Sequence, residues 1–571
     1  MTLTVQAEPV LPTLDRLKAT IPQEVSASDV ASAWLVKFGE VLRSSKPEAI
    51  NLDNIFFVDA FWKDILALTW DFRTIRGIDA IQALIRSRAL PCKLSVSSIS
   101  SDAYRKPILA QPFPDLAWIQ FGFDIETKDG TGQCYVRLIP SAGGQWKAYT
   151  VFTSLETLHG SNGQAKTRWK EKRAFSTEFM NENPTVLIIG AGHSGLELAA
   201  RLGTMDISTL IVDKLSRVGD NWRRRYDTLC LHDPIWYDQM PFMQFPPSWP
   251  VYSPKDKIAG WLEAYATSLE LNVWMLSTVQ KATWDENGKV WNVAIAREDG
   301  PVRFLQCKFL VFANGFGGGN PYIPDIPGQD LFEGVIEHSA RFRSAKSFVG
   351  KKAIVVGACN SGHDIAQDFF NNGVDVTMVQ RSSTYVISAG AVRQMLTAYS
   401  DDGPPLDIAD RLGASLPPPV SNLVSRRGVA HIANTIDKEI LERLRKAGFR
   451  LNMGPDDCGA FLSFFKRGGG YYLDVGASAL IADGKIKLKA GTEIQQFTRN
   501  GIKFADGSEL KADVVIFATG YGDQRDIAKD ICGPDVVKAL SPVWGINEEG
   551  ELRSVWRDSG HPQLHFVAGM K

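Results

Sequence analysis

The stretch VLIIGAGHSGLELAARLG, Val186 to Gly203, decides the fold. It reads as a strand emptying into a glycine turn and then a helix, with Gly190, Gly192 and Gly195 in the spacing G-x-G-x-x-G. In that pattern Gly190 makes the tight turn, Gly192 lets the backbone approach a pyrophosphate, and Gly195 packs helix closely on strand. The helix N-terminus then offers free N–H groups and a positive dipole end to phosphates. The next strand, STLIVD, ends at Asp213, where a carboxylate can bond a ribose hydroxyl and repels a 2′-phosphate. The competing reading is a glycine-rich structural turn in some other α/β domain.

The theme recurs in KKAIVVGACNSGHDIAQDFFNNGVDVTMVQRS, Lys351 to Ser382. Gly357 and Gly362 are kept, but Cys359 stands at the middle position, so the backbone is expected to approach a pyrophosphate less freely there. The second strand of this unit ends with Arg381 and Ser382 where the first unit has Asp213. A guanidinium there can clamp a 2′-phosphate through bidentate, charge-assisted bonds; the alternative is a solvated surface arginine. The contrast points to FAD in the first site and NADPH in the second. Two apolar strands end in small-polar-Gly turns, FLVFANGFGGGNPYIPDIPG from Phe309 and ADVVIFATGYGD from Ala512, the latter with Thr519 and Gly520. Such turns are expected where a strand lies against a flavin, or are ordinary strand ends.

The chain has 571 residues, enough for two or three domains. Lys and Arg number 63 against 64 Asp and Glu, which leaves no basic stripe for nucleic acid or an anionic membrane. Seven scattered cysteines without a C-x-x-C argue for a reducing compartment and against a zinc site or redox dithiol, and no other metal cluster is evident. No apolar run of about 18 residues and no leader are evident, so a cytoplasmic chain without a transmembrane segment is expected. Residues 1–165 give helices first and antiparallel strands after, an α+β pattern, and 166–183 read as a linker. From Thr185 onward strands and helices alternate as in a doubly wound sheet. The expected division is 184–345 for FAD, 346–475 for NADPH and 476–571 as the return of the FAD domain.

Between the two turns, Phe332, Gly334, His338 and Phe342 of FEGVIEHSARF fit F-x-G-x-x-x-H-x-x-x-F. Earlier come VGDNWRRRYDTLCLHDP, with Trp222, Tyr226 and His232, and MPFMQFPPSWPVYSPK; FATGY follows late in the chain. In this order, over about residues 184 to 571, the motifs resemble the class B flavin monooxygenases, and within them the flavin-containing monooxygenases and their plant auxin-forming members. Phe342-Arg343 stands where the Baeyer–Villiger version has Trp-Pro, and Asn314 where the family more often has Thr. The resemblance implies an α/β fold with two Rossmann-like dinucleotide-binding domains, FAD and NADPH as cofactors, and O2 and a small organic molecule as substrates. NADPH would reduce FAD, O2 would add at flavin C4a, and one oxygen atom would pass to a soft N or S atom or to a carbonyl or 2-oxo acid. The missing Trp-Pro and the LCLHDP segment lean away from ester insertion. PQLHFVAGMK is similar to the strand that in relatives leads into a last helix beside the flavin; with that helix absent, weaker flavin retention is expected. The first 165 residues resemble, through FWKDILALTWDFRTIRG, the cone-like α+β domain of nuclear-transport-factor-like and polyketide-cyclase-like proteins, which implies a homodimerisation cone, a lid or a relic.

The candidate catalytic residues are His338, Asn360 and His232. His338 reads either as a proton relay or as a hydrogen-bonded structural histidine at the crossover between nucleotide domains. Candidates for cofactor binding are Gly190, Gly192, Gly195, Asp213, Trp222, Gly357, Asn360, Gly362, Arg381, Ser382, Thr519 and Gly520. Packing is the competing role for Trp222, His232 and Asn360. Tyr471 and Tyr472 read as a substrate mouth or as core. Two other functions stay open: an NADPH oxidase or reductase without oxygen transfer, and a non-catalytic, truncated flavoprotein acting as a scaffold. A thiol-disulfide reductase is disfavoured by the absent C-x-x-C.

Overall fold

The structure is a computed structural model that describes residues 8–160, 178–298 and 300–569. It divides into two compact units. The first holds the N-terminal residues up to 167 together with 398–425 and 546–551; the second holds the remainder.

In the first unit a helix runs Ala27–Leu42, with the Ser26 hydroxyl accepting the Asp29 N–H at 3.2 Å as its cap. Its apolar stripe, Trp34, Leu35 and Phe38, enters a core with Phe56, Trp62 and Phe121 on one face of a seven-stranded sheet. The sheet is antiparallel except where Phe56–Ile65 pairs in parallel with Trp146–Leu158. FWKDILALTWDFRTIRG forms two strands, Phe56–Ile65 and Phe72–Arg76, and the turn between them is organised by Asp64. That buried carboxylate accepts the Thr69 N–H at 2.9 Å, the Thr69 hydroxyl at 2.7 Å and the Thr153 hydroxyl at 2.6 Å.

The other face of this sheet carries Phe61, Leu116, Trp118, Ile139 and Tyr149, and the chain itself covers it with Val420, Leu416, Leu423 and Val424. Arg137, buried, donates to the Ser415 carbonyl at 3.2 Å and hydroxyl at 2.9 Å, and Arg411 pairs with Glu156. Residues 546–551 add Glu549, which takes Arg73 Nη2 at 2.7 Å and the Thr74 N–H at 2.9 Å. The expected N-terminal domain of 1–165 is therefore incomplete by itself, because its second apolar face is buried by residues some 250 positions later in the chain. A homodimer through this domain has to use another surface, since this one is already occupied.

In the second unit the first turn sits in a five-stranded parallel sheet. Its order is Val273–Trp274, Thr209–Val212, Val186–Ile189, Phe309–Phe312, Leu564–Phe566. The second turn sits in another parallel sheet of five, ordered Val335–His338, Val514–Phe517, Lys352–Val356, Asp375–Gln380, Lys487–Ala490. This corrects the expected boundaries. Val335–His338, assigned to 184–345, and two strands assigned to 476–571 belong to the second sheet, because backbone pairing joins Val356 to Phe517 and His338 to Phe517. Only the last strand returns to the first sheet, pairing Phe312 with Phe566. The expected linker 166–183 lies largely outside the described residues; its end is anchored by Phe179, which is buried in the core of the first sheet. Among the described residues no helix is long and apolar enough to cross a membrane.

Replacing the fully buried Val420 by Ala is expected to cost about 2 kcal/mol, read as a lower denaturant midpoint. An unchanged midpoint would show that the 398–425 segment adds nothing to the first unit.

Candidate functional site

The two glycine turns are built alike. Gly190 has φ +114 and Gly357 φ +122, a region that L side chains avoid. A Cβ on Gly190 would stand 2.5 Å from the Ala313 carbonyl oxygen, and one on Gly357 2.4 Å from that of Ala518. The alanines are fixed by matching backbone bonds, Ala313 N–H to Ile189 and Ala518 N–H to Val356, both at 2.8 Å. Gly195 and Gly362 are equally constrained, since a Cβ on either would lie 2.1 Å from the carbonyl oxygen of Gly190 or Gly357. Thr519 and Gly520 follow the strand that packs on the second turn and meet the segment leaving the first sheet: Thr519 donates to the Tyr322 carbonyl, and the Gly520 carbonyl accepts the Tyr322 N–H at 2.9 Å.

Gly192 is different. Its φ of −86 suits any residue, and a Cβ there would meet only Asn221 Nδ2, at 3.4 Å. Among the described residues nothing demands a glycine there, which fits a turn whose backbone is left bare for a ligand's phosphates. At the matching position Cys359 has extended backbone, φ −105, and its thiol lies against the Gly470 and Tyr471 amides. The Cys359 side chain is thus directed at those two amides.

Asp213 ends the second strand and braces the first turn: its Oδ2 accepts the Ala191 N–H and its Oδ1 the Leu215 N–H, both at 2.8 Å. Arg381 and Ser382 end the corresponding strand of the second unit with exposed side chains. The residues present therefore fit two dinucleotides, one met by a carboxylate and one by a free guanidinium.

His338 closes the strand Val335–His338, is 2% exposed, and accepts the Ala340 N–H on Nδ1 at 3.1 Å. Burial lowers its pKa, with a backbone hydrogen bond to Gly520 opposing. Phe332 and Phe342 of the same motif are buried, and Gly334 lets the Asp513 carbonyl approach. Asn360 opens the second nucleotide helix and its Oδ1 accepts the Leu473 N–H at 2.9 Å, tying helix to strand. Trp222 packs into the cores of both nucleotide domains and meets the His193 ring edge-on at 5.8 Å. His232 reaches Asp364 on the second helix, Nε2 to Oδ2 at 3.0 Å, and Tyr226 donates to the same oxygen at 2.7 Å. Burial alone would push the His232 imidazolium down; the Asp364 carboxylate, by charge and hydrogen bond, more than reverses this and raises its pKa. Asp364 had no motif of its own, and its only signal in the sequence was its place on the helix behind GACNSG.

Tyr472 is core, fully buried and stacked on His363 at 3.6 Å with 4° between planes. Tyr471, half-buried, stands with Tyr237 near Asp233 and Cys359. Burial pushes His363 down to about 4. The unfolded chain takes that proton near 6.5, so stability is complete above this value and is lost as pH falls from there toward 4, by about 3 kcal/mol. His363→Phe keeps the stack and removes the titration; its unfolding free energy should fall less than the wild type's between pH 6.5 and 4, and an identical loss would refute the assignment.

The family profile described as pyridine nucleotide-disulphide oxidoreductase matches residues 187–401. All seven cysteines are free thiols. Indole-3-pyruvate monooxygenase YUCCA1 of Oryza sativa subsp. japonica is 32% identical over 342 residues, 59% of this chain and 77% of that one. Indole-3-pyruvate monooxygenase YUCCA8 of the same subspecies is 31% identical over 392 residues, 67% of this chain and 85% of that one. Among solved structures, a flavin-containing monooxygenase from Stenotrophomonas maltophilia aligns at 19% identity and TM-score 0.44, covering 67% of this chain and 89% of that one. The chain belongs to the NADPH-dependent flavin monooxygenases, enzymes that work with FAD and O2, in the family of the indole-3-pyruvate monooxygenases.

Proposed function

We propose that the turn at Gly190–Gly195 holds FAD, that the turn at Gly357–Gly362 holds NADPH, and that the oxygen acceptor is an aromatic 2-oxo acid. The single observation that carries the placement is the contrast between the two strand ends, Asp213 against the exposed Arg381 and Ser382. A carboxylate accepts ribose hydroxyls and repels a 2′-phosphate, whereas a guanidinium binds that phosphate in two places. The substrate class follows from the relatives' activity on indole-3-pyruvate.

When bound, the flavin supplies the oxygen activation and the nicotinamide its electrons. The chain's own work is to bind, orient and exclude water. The first helix presents its N-terminal N–H groups across the open side of Gly192, and Asp213 holds the Ala191 amide in that turn. Asn360 fixes the second helix to the strand Tyr471–Asp474. Tyr237 lies 6.4 Å from the Phe461 ring and close to Tyr471, an aromatic group suited to contact with an aromatic side chain. The balanced reaction takes the 2-oxo acid, O2, NADPH and a proton to the acid one carbon shorter, CO2, water and NADP+. The soluble, cytoplasmic setting expected from the sequence suits this chemistry.

Two outcomes test the reading. Purified protein given FAD, NADPH, O2 and indole-3-pyruvate should release CO2 in step with NADPH consumed; peroxide formed mole for mole with NADPH, whatever 2-oxo acid is offered, would make it an oxidase. Arg381→Ala should weaken NADPH but not NADH, by about 1.5 to 3 kcal/mol for a charged hydrogen bond lost. Equal weakening of both nucleotides would place the 2′-phosphate elsewhere.

A further inference from the structure

We infer that Asp364 is a positioning residue for reduction by NADPH: from the second nucleotide helix it binds Tyr226 and His232 of the preceding segment, and so fixes the second nucleotide site against the first. This rests on the proposed placement of NADPH at the second turn. Asp364 lies one helical turn after Asn360 and two residues after Gly362, so any shift of its side chain's partners acts directly on the turn. It is 8% exposed and Tyr226 is 1% exposed. Both donors converge on one oxygen, Tyr226 Oη at 2.7 Å and His232 Nε2 at 3.0 Å, and Ser361 of the same helix also meets the Tyr226 hydroxyl. Tyr226 and His232 flank Leu229 and Leu231, and these two leucines enter different cores, one with the second sheet and one with the first. The segment is therefore wedged between the two domains, and Asp364 is the polar group that ties it to the second.

The charges around His232 are specific. On its own segment it faces Asp233 and Arg225, and Tyr226 shares its Asp364 oxygen. The helix contributes Asp364 and His363, and the strand beyond contributes Tyr472, whose phenol also feels Asp364. Asp233 and Asp364 favour the imidazolium, and Arg225 and burial oppose it. Burial raises the Asp233 carboxyl, with the His232 charge opposing. Protonated His232 and Asp364 form an ion pair between the segment and the helix, and deprotonation of His232 removes its charge as pH rises through the raised value. The rate at which bound NADPH reduces the flavin should fall along that same curve.

The test reads the pair and the reaction separately. Histidine NMR titration of the full chain, with His232 assigned through His232→Gln, gives the protonation directly and needs no cofactor. Anaerobic mixing of the FAD-loaded protein with saturating NADPH gives the reduction rate against pH. Asp364→Asn should lower the His232 pKa by about one unit or more. It should also slow reduction by about 10- to 100-fold with little change in NADPH affinity. Asp364→Glu should restore most of the rate. A folded Asp364→Asn protein reduced at the wild-type rate, or one whose His232 titrates unchanged, overturns the inference. If Asp364→Asn fails to fold, Tyr226→Phe reads the same tie from its other donor: slower reduction is expected while His232 still titrates high, and an unchanged rate overturns it. Wild-type protein that binds FAD yet is not reduced by NADPH at any pH sinks the placement of the cofactors, and shows this before any variant is compared.

Discussion

Everything at the two nucleotide sites depends on how closely a glycine turn can lie against the end of a neighbouring strand. At each turn the first glycine sits within 2.5 Å, measured from where a Cβ would be, of a carbonyl oxygen on an alanine. That alanine ends a central parallel strand, Phe309–Phe312 or Val514–Phe517, and its own N–H is bonded across to the residue before the glycine. The turn, the strand end and the start of the helix are therefore one rigid piece. FANG and FATG are the same structural answer given twice, once for each sheet.

The two domains so built are joined by side chains as well as by the chain. Trp222 is shared between their cores, and the Tyr226–Asp364–His232 cluster bonds a segment of the first domain to the helix of the second. Apolar contact sets the distance between domains but tolerates sliding, whereas two donors on one buried carboxylate oxygen fix a direction. Reduction of one cofactor by another needs that direction. The charge pair that supplies it is sheltered from solvent, so its strength depends little on salt and strongly on protonation.

The first unit shows a different economy. Its sheet has two apolar faces; the helix Ala27–Leu42 covers one, and Leu11 and Leu17 pack on part of the other. Val420 and its neighbours cover the other, and Glu549 and Glu551 bind the Arg73–Thr74 edge. This domain is completed by segments that lie far away in sequence.

What the sequence by itself determined was local and chemical. The spacing of Gly190, Gly192 and Gly195, the change from Asp213 to Arg381, and the F-x-G-x-x-x-H-x-x-x-F motif around His338 each lie within a few tens of residues, so they could be read without coordinates. The helical stripe at Trp34, Leu35 and Phe38 was legible for the same reason. Only the tertiary structure decided which sheet received FATGY, because parallel pairing leaves no mark on an apolar run such as VVIF. It alone directed Cys359 at the Gly470 and Tyr471 amides, stacked Tyr472 in the core, and brought Asp364 to His232 across 132 residues. Those outcomes depend on burial between distant segments, and burial is a property of the folded chain, not of any stretch within it.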